Sequence, residues 1–563
     1  MKKNGMFLLL TAAAGLLTAC SGKLGALSAD NFNVTPNPLE TEAGQVPATI
    51  NGMFPEKYMK KKAVVTVTPQ LRYQTTQGQK SVNGQSATFQ GEKVLANNQT
   101  ISYLVGGRYT MKTNFQYAPE MQKSDLYLTF DAKIGNKSVK VPDVKVAEGI
   151  IATSELYKRT LASANAALAE DAFQRITAQK QEANIKFLIG QAQLRKSELQ
   201  NNSVQEFVRL LNEIAKDQEG RVLDGVEVSA YASPDGGYAL NEHLANKRQD
   251  VAAEYVGQQM KNTNNDAPID AKYTAEDWEG FQELVAASDI QDKDVILRVL
   301  SMYQDPEERE QQIRNISAAF RELTDGILPQ LRRARLTINY EVVGRDDDQI
   351  LAQMRKDASA LSIEEILYGA TLYDNDIARA EAAYKKAIEL YPNDARAYNN
   401  LARLAYSQGN YTDAKQWLEK ALLVDKNQAE ANANLGLLAM QQGDMPNAET
   451  YIAKASQANG LNEVLGNLHL AQGKYAQAEQ DFGYKASNSA ALAQILNKNY
   501  QQAAITLKNV KNADATTDYL RAILNARTGN VAAATQALQN AIAKDPSLAA
   551  YAAKDVELLK VNK

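Results

Sequence analysis

The sequence predicts a multidomain α+β protein with an N-terminal antiparallel β-sandwich, a central α/β domain and a C-terminal α-helical solenoid. Three observations support this fold class. Apolar residues alternate at period two in the first quarter of the chain, strand-like segments alternate with amphipathic helices in the middle, and a repeat of about 30–34 residues runs through the last third. The length of 563 residues suggests about three or four domains.

The amino end is typical of a secretory signal. Two lysines follow Met1, and the next apolar stretch, from Phe7 to Leu17, is too short for a permanent membrane helix. The run Leu17-Thr18-Ala19-Cys20 resembles the lipobox of bacterial lipoproteins, in which the chain is cut before the cysteine and the thiol is acylated. This resemblance implies a signal peptide over residues 1–19, a lipid-anchored linker over residues 20–30 and lipidation of Cys20. The alternative is a plain signal peptide with an incidental cysteine.

Cysteine content and charge limit where in the cell the protein is expected and which classes of partner it is expected to bind. Cys20 is the only cysteine, so disulfides are excluded. No acidic run that would direct surface export follows it, and no aspartate that would retain the protein in the inner membrane stands beside it. We therefore expect a lipid anchor in the outer membrane and a chain on its periplasmic face. The net charge of −4 offers no broad basic surface, so no nucleic-acid partner is predicted.

Residues 31–150 are predicted to form the β-sandwich, of immunoglobulin-like size. Alternation typical of half-buried strands occurs at residues 64–68, 101–105, 109–117, 126–130 and 138–141. The strand order stays open. Tyrosines and phenylalanines at strand spacing fit either a carbohydrate platform or core packing, and their period favours the core.

Residues 151–180 are predicted to link two domains. The run from Ala162 to Glu170 contains five alanines and few large apolar side chains. Because alanine has the strongest helix propensity, we expect a helix-prone connection rather than part of a core.

Residues 181–345 are predicted to form the central domain, with the order β-α-β-α-insertion-β. The predicted strands are 184–189, 226–231 and a closing strand within 329–343, and the predicted helices are 203–216 and 240–259. An acidic helical insertion over about residues 275–324 precedes the closing strand.

The second of these strands runs into the loop Ser233-Pro234-Asp235-Gly236-Gly237 and then into a helix with Asn241, Leu244 and Arg248. This arrangement resembles the OmpA C-terminal domain, whose loop reads Gly-His/Tyr-Thr-Asp-x-x-Gly and is followed by Asn-x-x-Leu-Ser-x-x-Arg-Ala. In that family the aspartate and the arginine hold the diaminopimelate of peptidoglycan. The resemblance implies that Arg248 binds the ligand's carboxylate and that Asn241 orients the loop.

One position departs from the family pattern, because Ser233 stands where the aspartate belongs and offers only a neutral hydrogen bond. Asp235 is then the candidate for the ligand's ammonium, if the turn at Pro234 directs it inward. Arg332 or Arg333 matches the arginines of the family's final strand. A domain that keeps the fold and binds no ligand is the alternative.

Residues 358–560 are predicted to be helical and repetitive. A pattern of five residues recurs three times, as Leu401, Ala402, Gly409, Tyr411 and Ala414, as Leu435, Gly436, Gly443, Met445 and Ala448, and as Leu465, Gly466, Gly473, Tyr475 and Ala478. Close packing of a helix pair requires a small residue at the crossing and a glycine at the turn, and the pattern resembles tetratricopeptide repeats.

That resemblance implies a protein partner in the groove lined by the first helix of each repeat. Arg396, Asn399, Arg403 and Asn434 are the candidate groove residues, since their side chains can hydrogen-bond an extended peptide. The alternative is that they are ordinary exposed polar residues.

No catalytic residue, metal site or cofactor is predicted. Two histidines, His243 and His469, and one acylated cysteine cannot form a Cys/His zinc cluster or a Cys-His nucleophile pair, and no phosphate-binding loop is present. We therefore expect a non-enzymatic periplasmic scaffold whose OmpA-like domain contacts peptidoglycan and whose repeats bind a protein. One alternative is an accessory subunit for outer-membrane protein assembly or secretion that does not bind peptidoglycan. Another is a surface lipoprotein that binds glycans or acts as an adhesin.

Overall fold

The computed structural model describes residues 23–290, 292–315, 321–373, 376–559 and 561. Cys20 and the signal-like segment lie outside these residues. The chain forms two compact units, one containing the described residues up to Asp171 together with those from Tyr373 onward, and the other containing Ala172–Leu372. The unit boundaries therefore fall at residues 171/172 and 372/373, whereas the sequence placed the limits of the central domain at 181 and 345.

The β domain occupies residues 23–151 of the first unit. Its strands are β1 Phe32–Thr35, β2 Leu39–Glu40, β3 Gln45–Phe54, β4 Ala63–Thr75, β5 Gly78–Asn83, β6 Ala87–Gly91, β7 Gln99–Ile101, β8 Gly107–Gln116, β9 Ser124–Ile134, β10 Lys137–Lys140 and β11 Val144–Ile151. One sheet has the order β1-β3-β8, and the other has the order β2-β11-β9-β4-β6-β7, with β5 paired to β4 and β10 paired to β9. A 3₁₀ turn, Thr153–Leu156, and helix α1, Tyr157–Leu161, follow β11.

The two sheets share one apolar core. Along β8 every second residue is buried, and Phe54 of β3 packs against Phe89 of β6 with ring centroids 5.3 Å apart. Two details differ from the prediction. The pairs β2–β11 and β6–β7 are parallel, so the larger sheet is mixed rather than antiparallel. The predicted strand at 101–105 ends at Ile101, because a turn closed by Gly106 N–H donating to the Ser102 carbonyl follows it.

The second unit is built on a four-stranded sheet. Its strands are β12 Ile176–Lys186, β13 Arg221–Tyr231, β14 Ile269–Thr274 and β15 Arg333–Val343, in the order β12-β15-β13-β14. Its helices are α2 Lys196–Leu199, α3 Asn202–Lys216, α4 Tyr238–Asn262, α5 Trp278–Ala286, α6 Lys293–Met302, α7 Pro306–Asn315, α8 Leu328–Leu331, α9 Asp347–Asp357 and α10 Ile363–Thr371.

Strand β14 was not predicted. It runs parallel to β13 at the sheet edge, with Val226 opposite Ile269, and all of its side chains are at least partly exposed. An edge strand without a buried face has no apolar period to detect. The first strand was also misplaced: β12 ends at Lys186 rather than at residue 189.

The C-terminal part of the first unit is a series of helices, which confirms the helical prediction for this region. They are α11 Ile377–Leu390, α12 Ala395–Ser407, α13 Tyr411–Val424, α14 Ala429–Gln441, α15 Met445–Ile452, α16 Leu461–Ala471, α17 Tyr475–Phe482, α18 Asn488–Leu496, α19 Tyr500–Asn509, α20 Ala515–Arg527, α21 Val531–Lys544 and α22 Leu548–Ala552. A 3₁₀ turn, Val556–Leu558, follows α22. No helix in the described ranges combines the length and apolarity needed to cross a bilayer.

Glycines fix how these helices pair. A Cβ at Gly436 would lie 2.6 Å from Ile452, and one at Gly466 would lie 2.8 Å from Phe482, so both crossings require a residue without a side chain. The turns after the first helices hold Gly409 and Gly443 at φ +76° and +78°, a region that glycine occupies without steric cost. Lys498 takes the corresponding turn position after α18 at φ +63°, where the repeat pattern is degenerate.

Candidate functional sites in the helical repeats and the Ser233 loop

The first helices of the repeats, α12, α14, α16, α18 and α20, bury polar side chains among small apolar ones. Asn399, Asn400, Asn434 and Glu463 are each no more than 4% exposed. A buried amide or carboxylate without a partner is costly, so these groups require hydrogen bonds from within the protein or from a ligand.

The chain itself supplies those hydrogen bonds through residues 164–171, which we call the groove peptide. Asn434 Oδ1 accepts from the Ala167 N–H at 2.6 Å, and its Nδ2 donates to the Ala167 carbonyl at 2.9 Å. Asn400 bonds Ala169 in the same way, at 2.9 and 3.1 Å. One amide therefore satisfies both backbone groups of a residue, and the arrangement recurs two residues later, which is the period of an extended chain.

Further side chains extend this contact along the groove. Asn399 Nδ2 donates to the Ala167 carbonyl at 3.0 Å, Arg403 Nε to the Ala166 carbonyl at 3.2 Å and Arg396 Nη1 to the Asp171 carbonyl at 2.8 Å. Glu463 Oε1 accepts from both the backbone and the side-chain amide of Asn165, each at 3.1 Å.

All four groove residues named from the sequence, Arg396, Asn399, Arg403 and Asn434, thus contact the protein's own peptide. Sequence reasoning missed Asn400 and Glu463. A usable signal was present, because two adjacent asparagines inside a helix have poor helix propensity and need a reason to be there.

Four of the five alanines in the alanine-rich run are buried and the run is not helical, so the prediction of a helix-prone linker outside any core was wrong. Ala164, Ala166, Ala167 and Ala169 are 3–8% exposed, and the first three belong to the apolar core of the repeats. Their small size fits a peptide that lies close to the helices. The run is not helical despite its helix propensity, because the groove amides supply its backbone with the hydrogen bonds that a helix would otherwise provide.

The segment before the groove peptide is equally embedded. Leu156, Tyr157 and Leu161 belong to the same core, and the Tyr406 hydroxyl donates to the Leu161 carbonyl at 2.7 Å. Burial raises the pKa of Tyr406, which therefore stays a neutral donor.

The carboxyl-terminal end of the helical repeats contacts residue 153, near the start of the segment that leads into the groove peptide. Thr153 Oγ1 donates to Glu557 Oε2 at 2.8 Å, and Arg527 Nε donates to the other oxygen of that carboxylate at 2.7 Å. The neighbouring Asp555 is 2% exposed and accepts from the Tyr519 hydroxyl at 2.7 Å. Burial raises the pKa of Asp555 to about 6.

In the second unit, Arg248 is enclosed rather than presented to solvent. It is 1% exposed, and three of its N–H groups donate to the carbonyls of Tyr231 at 2.8 Å, Gln191 at 3.0 Å and Leu188 at 3.4 Å. Its guanidinium also lies over the Phe187 ring, 5.2 Å from the centroid. Burial, with the nearby charge of Arg332, lowers the pKa of Arg248 to about 10. The group expected to bind a carboxylate therefore bonds backbone oxygens here.

An ion pair between Asp235 and Arg332 holds the Ser233 loop, residues 233–237, in place. Asp235 does turn inward, but its carboxylate meets Arg332 Nη2 at 2.7 Å and accepts from Ser233 Oγ at 2.6 Å. Ser233 Oγ in turn accepts from Arg332 Nε at 3.1 Å. Asn241 Nδ2 donates to the Gly236 carbonyl at 2.8 Å, which holds the loop against the start of α4.

Two further arginines lie near the end of β13. Arg333 pairs with Asp277 at 3.1 Å, and Arg335 donates to the Tyr231 hydroxyl at 2.8 Å. Both guanidinium groups also lie over the Tyr231 ring, at 5.2 and 5.6 Å from its centroid. Tyr231 and Asp277 were not singled out from the sequence, because only the tertiary fold brings them to this end: Tyr231 lies opposite Thr274 of β14, and the Asp277 N–H donates to the Ala232 carbonyl at 3.2 Å. In the described ranges no cluster of three or more metal-ligating side chains is arranged to hold an ion.

Comparison with known proteins agrees with the helical repeats. A tetratricopeptide repeat family matches residues 370–429. Such repeats are scaffolds for protein–protein interaction. No curated protein matches this chain.

Solved structures similar to the chain include the following three. A tetratricopeptide repeat protein from Parabacteroides merdae is 17% identical, covers 35% of this chain and 85% of its own, and gives a TM-score of 0.27. PilF from Pseudomonas aeruginosa is 20% identical over 36% and 95% of the two chains, with a TM-score of 0.26. YrrB, described as a repeat protein with an unusual peptide-binding site, is 21% identical over 37% and 100%, with a TM-score of 0.22.

Proposed function

We propose that this chain is a non-enzymatic scaffold lipoprotein, anchored through Cys20 on the periplasmic face of the outer membrane, whose repeats recruit a protein partner. The observation that supports the scaffold role is the capture of the groove peptide by Asn400 and Asn434. The segment that ends in the groove peptide joins the β domain to the repeats. It begins directly after β11, which ends at Ile151, so no free linker separates the two parts.

Because the chain's own peptide fills the groove, the partner binds another surface of the repeats. This can be tested with a photo-reactive amino acid placed either at Leu423 of α13, which is 85% exposed, or at Arg403 in the groove. Tagged protein is irradiated in intact envelopes, and crosslinked proteins are identified by mass spectrometry. We expect a partner at Leu423 or at other exposed sites of α13, α15 and α17, and an internal crosslink at Arg403. A foreign protein crosslinked at Arg403 would show that partners displace the groove peptide, and no partner at any exposed site would refute the scaffold role.

A second proposed role is contact of the second unit, as an OmpA-like domain, with peptidoglycan. The supporting observation is the group of four arginines around the end of β13. Arg332 and Arg333 pair with carboxylates, whereas Arg248 and Arg335 bond neutral oxygens, so the site favours an anion. Diaminopimelate would then have to displace the oxygens that Arg248 now holds.

The test uses the chain from Ser21 onward, which contains every described residue and has no lipid. We expect it to pellet with purified peptidoglycan and to be released by free diaminopimelate. Arg248→Lys, which keeps the charge but loses the planar fork, should weaken pelleting about tenfold or more. The same change at Arg209, an exposed residue of α3, should leave pelleting unchanged. If the wild-type chain stays in solution, the peptidoglycan-binding role is refuted. That result would favour the alternative of an accessory subunit for outer-membrane protein assembly or secretion.

A further inference from the structure

Three loops meet at one end of the β domain. They are residues 55–62 between β3 and β4, residues 92–98 between β6 and β7, and residues 102–106 between β7 and β8. The strand register requires this, because Phe54 lies opposite Gly107, Val64 opposite Gln90, and Gly91 beside Ile101. We call these three segments the loop surface.

Hydrogen bonds join the three loops into one surface. The Lys57 N–H donates to the Tyr103 carbonyl at 2.6 Å, and the Lys93 N–H donates to the Lys61 carbonyl at 2.7 Å. Ser102 Oγ donates to Glu92 Oε1 at 3.0 Å. Each loop is therefore bonded to at least one other, and side chains at their tips project from a common support.

The tips of the loop surface expose aliphatic side chains. Leu95 is 102% exposed, Val105 is 80% exposed and Leu104 is 65% exposed. Largely hydrated aliphatic side chains on three loops that are hydrogen-bonded to one another are unfavourable in water, and such exposure favours a surface that is covered in use.

Lysines lie on the same loops as these aliphatic side chains. Lys57, Lys61, Lys62 and Lys93 are exposed, and Lys60 Nζ lies 5.0 Å from the centroid of the Tyr103 ring. Only Glu56 and Glu92 oppose them within the three loops. Exposed aliphatic side chains on loops that also carry five lysines match an anionic bilayer surface, in which headgroups attract the cations and the acyl boundary receives the apolar groups.

The amino-terminal segment reaches the same end of the domain. The Tyr58 hydroxyl donates to the Gly25 carbonyl at 3.1 Å, and Leu24 and Leu27 are buried in the β-domain core. Strand β1 begins at Phe32, opposite Gly52 near the end of β3. Cys20 precedes Lys23 by three residues, which span at most about 10 Å.

We propose that the loop surface docks on the anionic membrane that receives the lipid of Cys20, with Leu95, Leu104 and Val105 entering the headgroup region. This inference rests on the proposed lipidation for the position of the membrane. The loop surface supplies the second contact that a single anchor point lacks, and it fixes the end of the β domain that faces the bilayer.

The binding test uses the chain from Ser21 onward, which has no cysteine, so that Leu104→Cys provides a single site for an environment-sensitive fluorophore. We expect a blue shift on vesicles of phosphatidylglycerol and phosphatidylethanolamine, a weaker response on phosphatidylcholine, and no shift for the same label at Leu423→Cys. An unchanged spectrum for Leu104→Cys on anionic vesicles at low salt would overturn the proposal.

Variants separate the two contributions in vesicle co-sedimentation. Replacing Leu95, Leu104 and Val105 together by serine should weaken binding at least tenfold, and Lys61→Glu with Lys62→Glu should weaken it and reduce its salt dependence. Leu423→Ser is the matched control and should bind like the wild-type chain. Equal binding by all variants would overturn the proposal. Mass spectrometry of the native protein tests the anchor separately, since vesicle binding without an acylated Cys20 would sustain the loop surface and refute the lipidation.

Discussion

The groove of the repeats and the Ser233 loop both use their polar side chains to bond other residues of the same chain, but the bonds differ in kind. In the groove, neutral amides of Asn400 and Asn434 bond the backbone of Ala167 and Ala169. In the Ser233 loop, the charged side chains of Asp235 and Arg332 bond each other. The groove amides bond backbone groups, so they require only that the bound peptide is extended and has small side chains. The Ser233 loop instead depends on the particular side chains of Ser233, Asp235 and Arg332. The comparison shows that polar residues which the sequence marks as candidate ligand-binding groups can instead form bonds that stabilise the fold.

The largest expected effect follows from removing the groove amides. Asn400→Ala with Asn434→Ala leaves three buried backbone groups, the Ala167 N–H and both groups of Ala169, without these partners, whereas the Ala167 carbonyl keeps Asn399. Each unpaired group costs about 1–3 kcal/mol, so we expect the free energy of unfolding of the first unit to fall by about 3–9 kcal/mol. Urea unfolding of a Trp278→Phe background, in which Trp417 alone reports, measures it. The exposed Asn447→Ala is the control, and a double variant as stable as that control would contradict the groove contact.

The corresponding change in the Ser233 loop is Asp235→Asn. It leaves Arg332, which is 10% exposed at the side chain, without its carboxylate. We expect the second unit to lose about 3 kcal/mol, because a buried charge loses its partner. Unfolding in a Trp417→Phe background, followed by Trp278, gives the value. Asp250→Asn on the exposed side of α4 should change little, and equal stability of the two variants would mean that the pair contributes nothing.

Asp555 predicts a pH dependence in the first unit. Its pKa of about 6 lies above the ordinary value of 3.8, so the folded protein binds this proton more tightly than the unfolded chain. Its contribution is therefore most favourable at acidic pH and declines as pH rises through about 6. Relative to wild type, Asp555→Asn should gain up to about 3 kcal/mol between pH 3.5 and pH 7. Urea midpoints of both proteins across this range test it, and a constant difference would exclude the raised pKa.

The smallest expected effect concerns the fit of the groove peptide. Ala167→Leu adds three carbons at a position that is 5% exposed, and overpacking of this kind costs about 1–3 kcal/mol. Ala162→Leu makes the same change at an exposed position two residues before the groove peptide and should be nearly neutral. Thermal unfolding of the two variants, measured side by side, distinguishes a buried groove peptide from a mobile linker. Equal melting temperatures would favour the linker.

The sequence predicted those features that depend on local pattern. The recurrence of Gly409 and Gly443 predicted the helix pairs, because a turn with positive φ requires glycine at a fixed spacing. The alternation along residues 109–117 predicted β8. The four residues named for binding a partner's peptide contact residues 166–171 of the chain itself, so their binding of another protein stays a prediction. For Arg248, the residue was identified but its surroundings were not, because its carbonyl partners come from Leu188, Gln191 and Tyr231.

By itself, the sequence determined those strands and helices that bury one face, such as β8 and α3, and which polar residues are unusual in their positions, since both follow from local periodicity and propensity. The exposed edge strand β14 has no such pattern and was missed. Only the tertiary structure decided what those polar residues touch. The run from Ala162 to Glu170 shows the reason: its local preference is helical, yet amides more than 200 residues away bond Ala167 and Ala169 and hold them extended. Propensity is worth only tenths of a kilocalorie per residue, and a set of buried hydrogen bonds outweighs it.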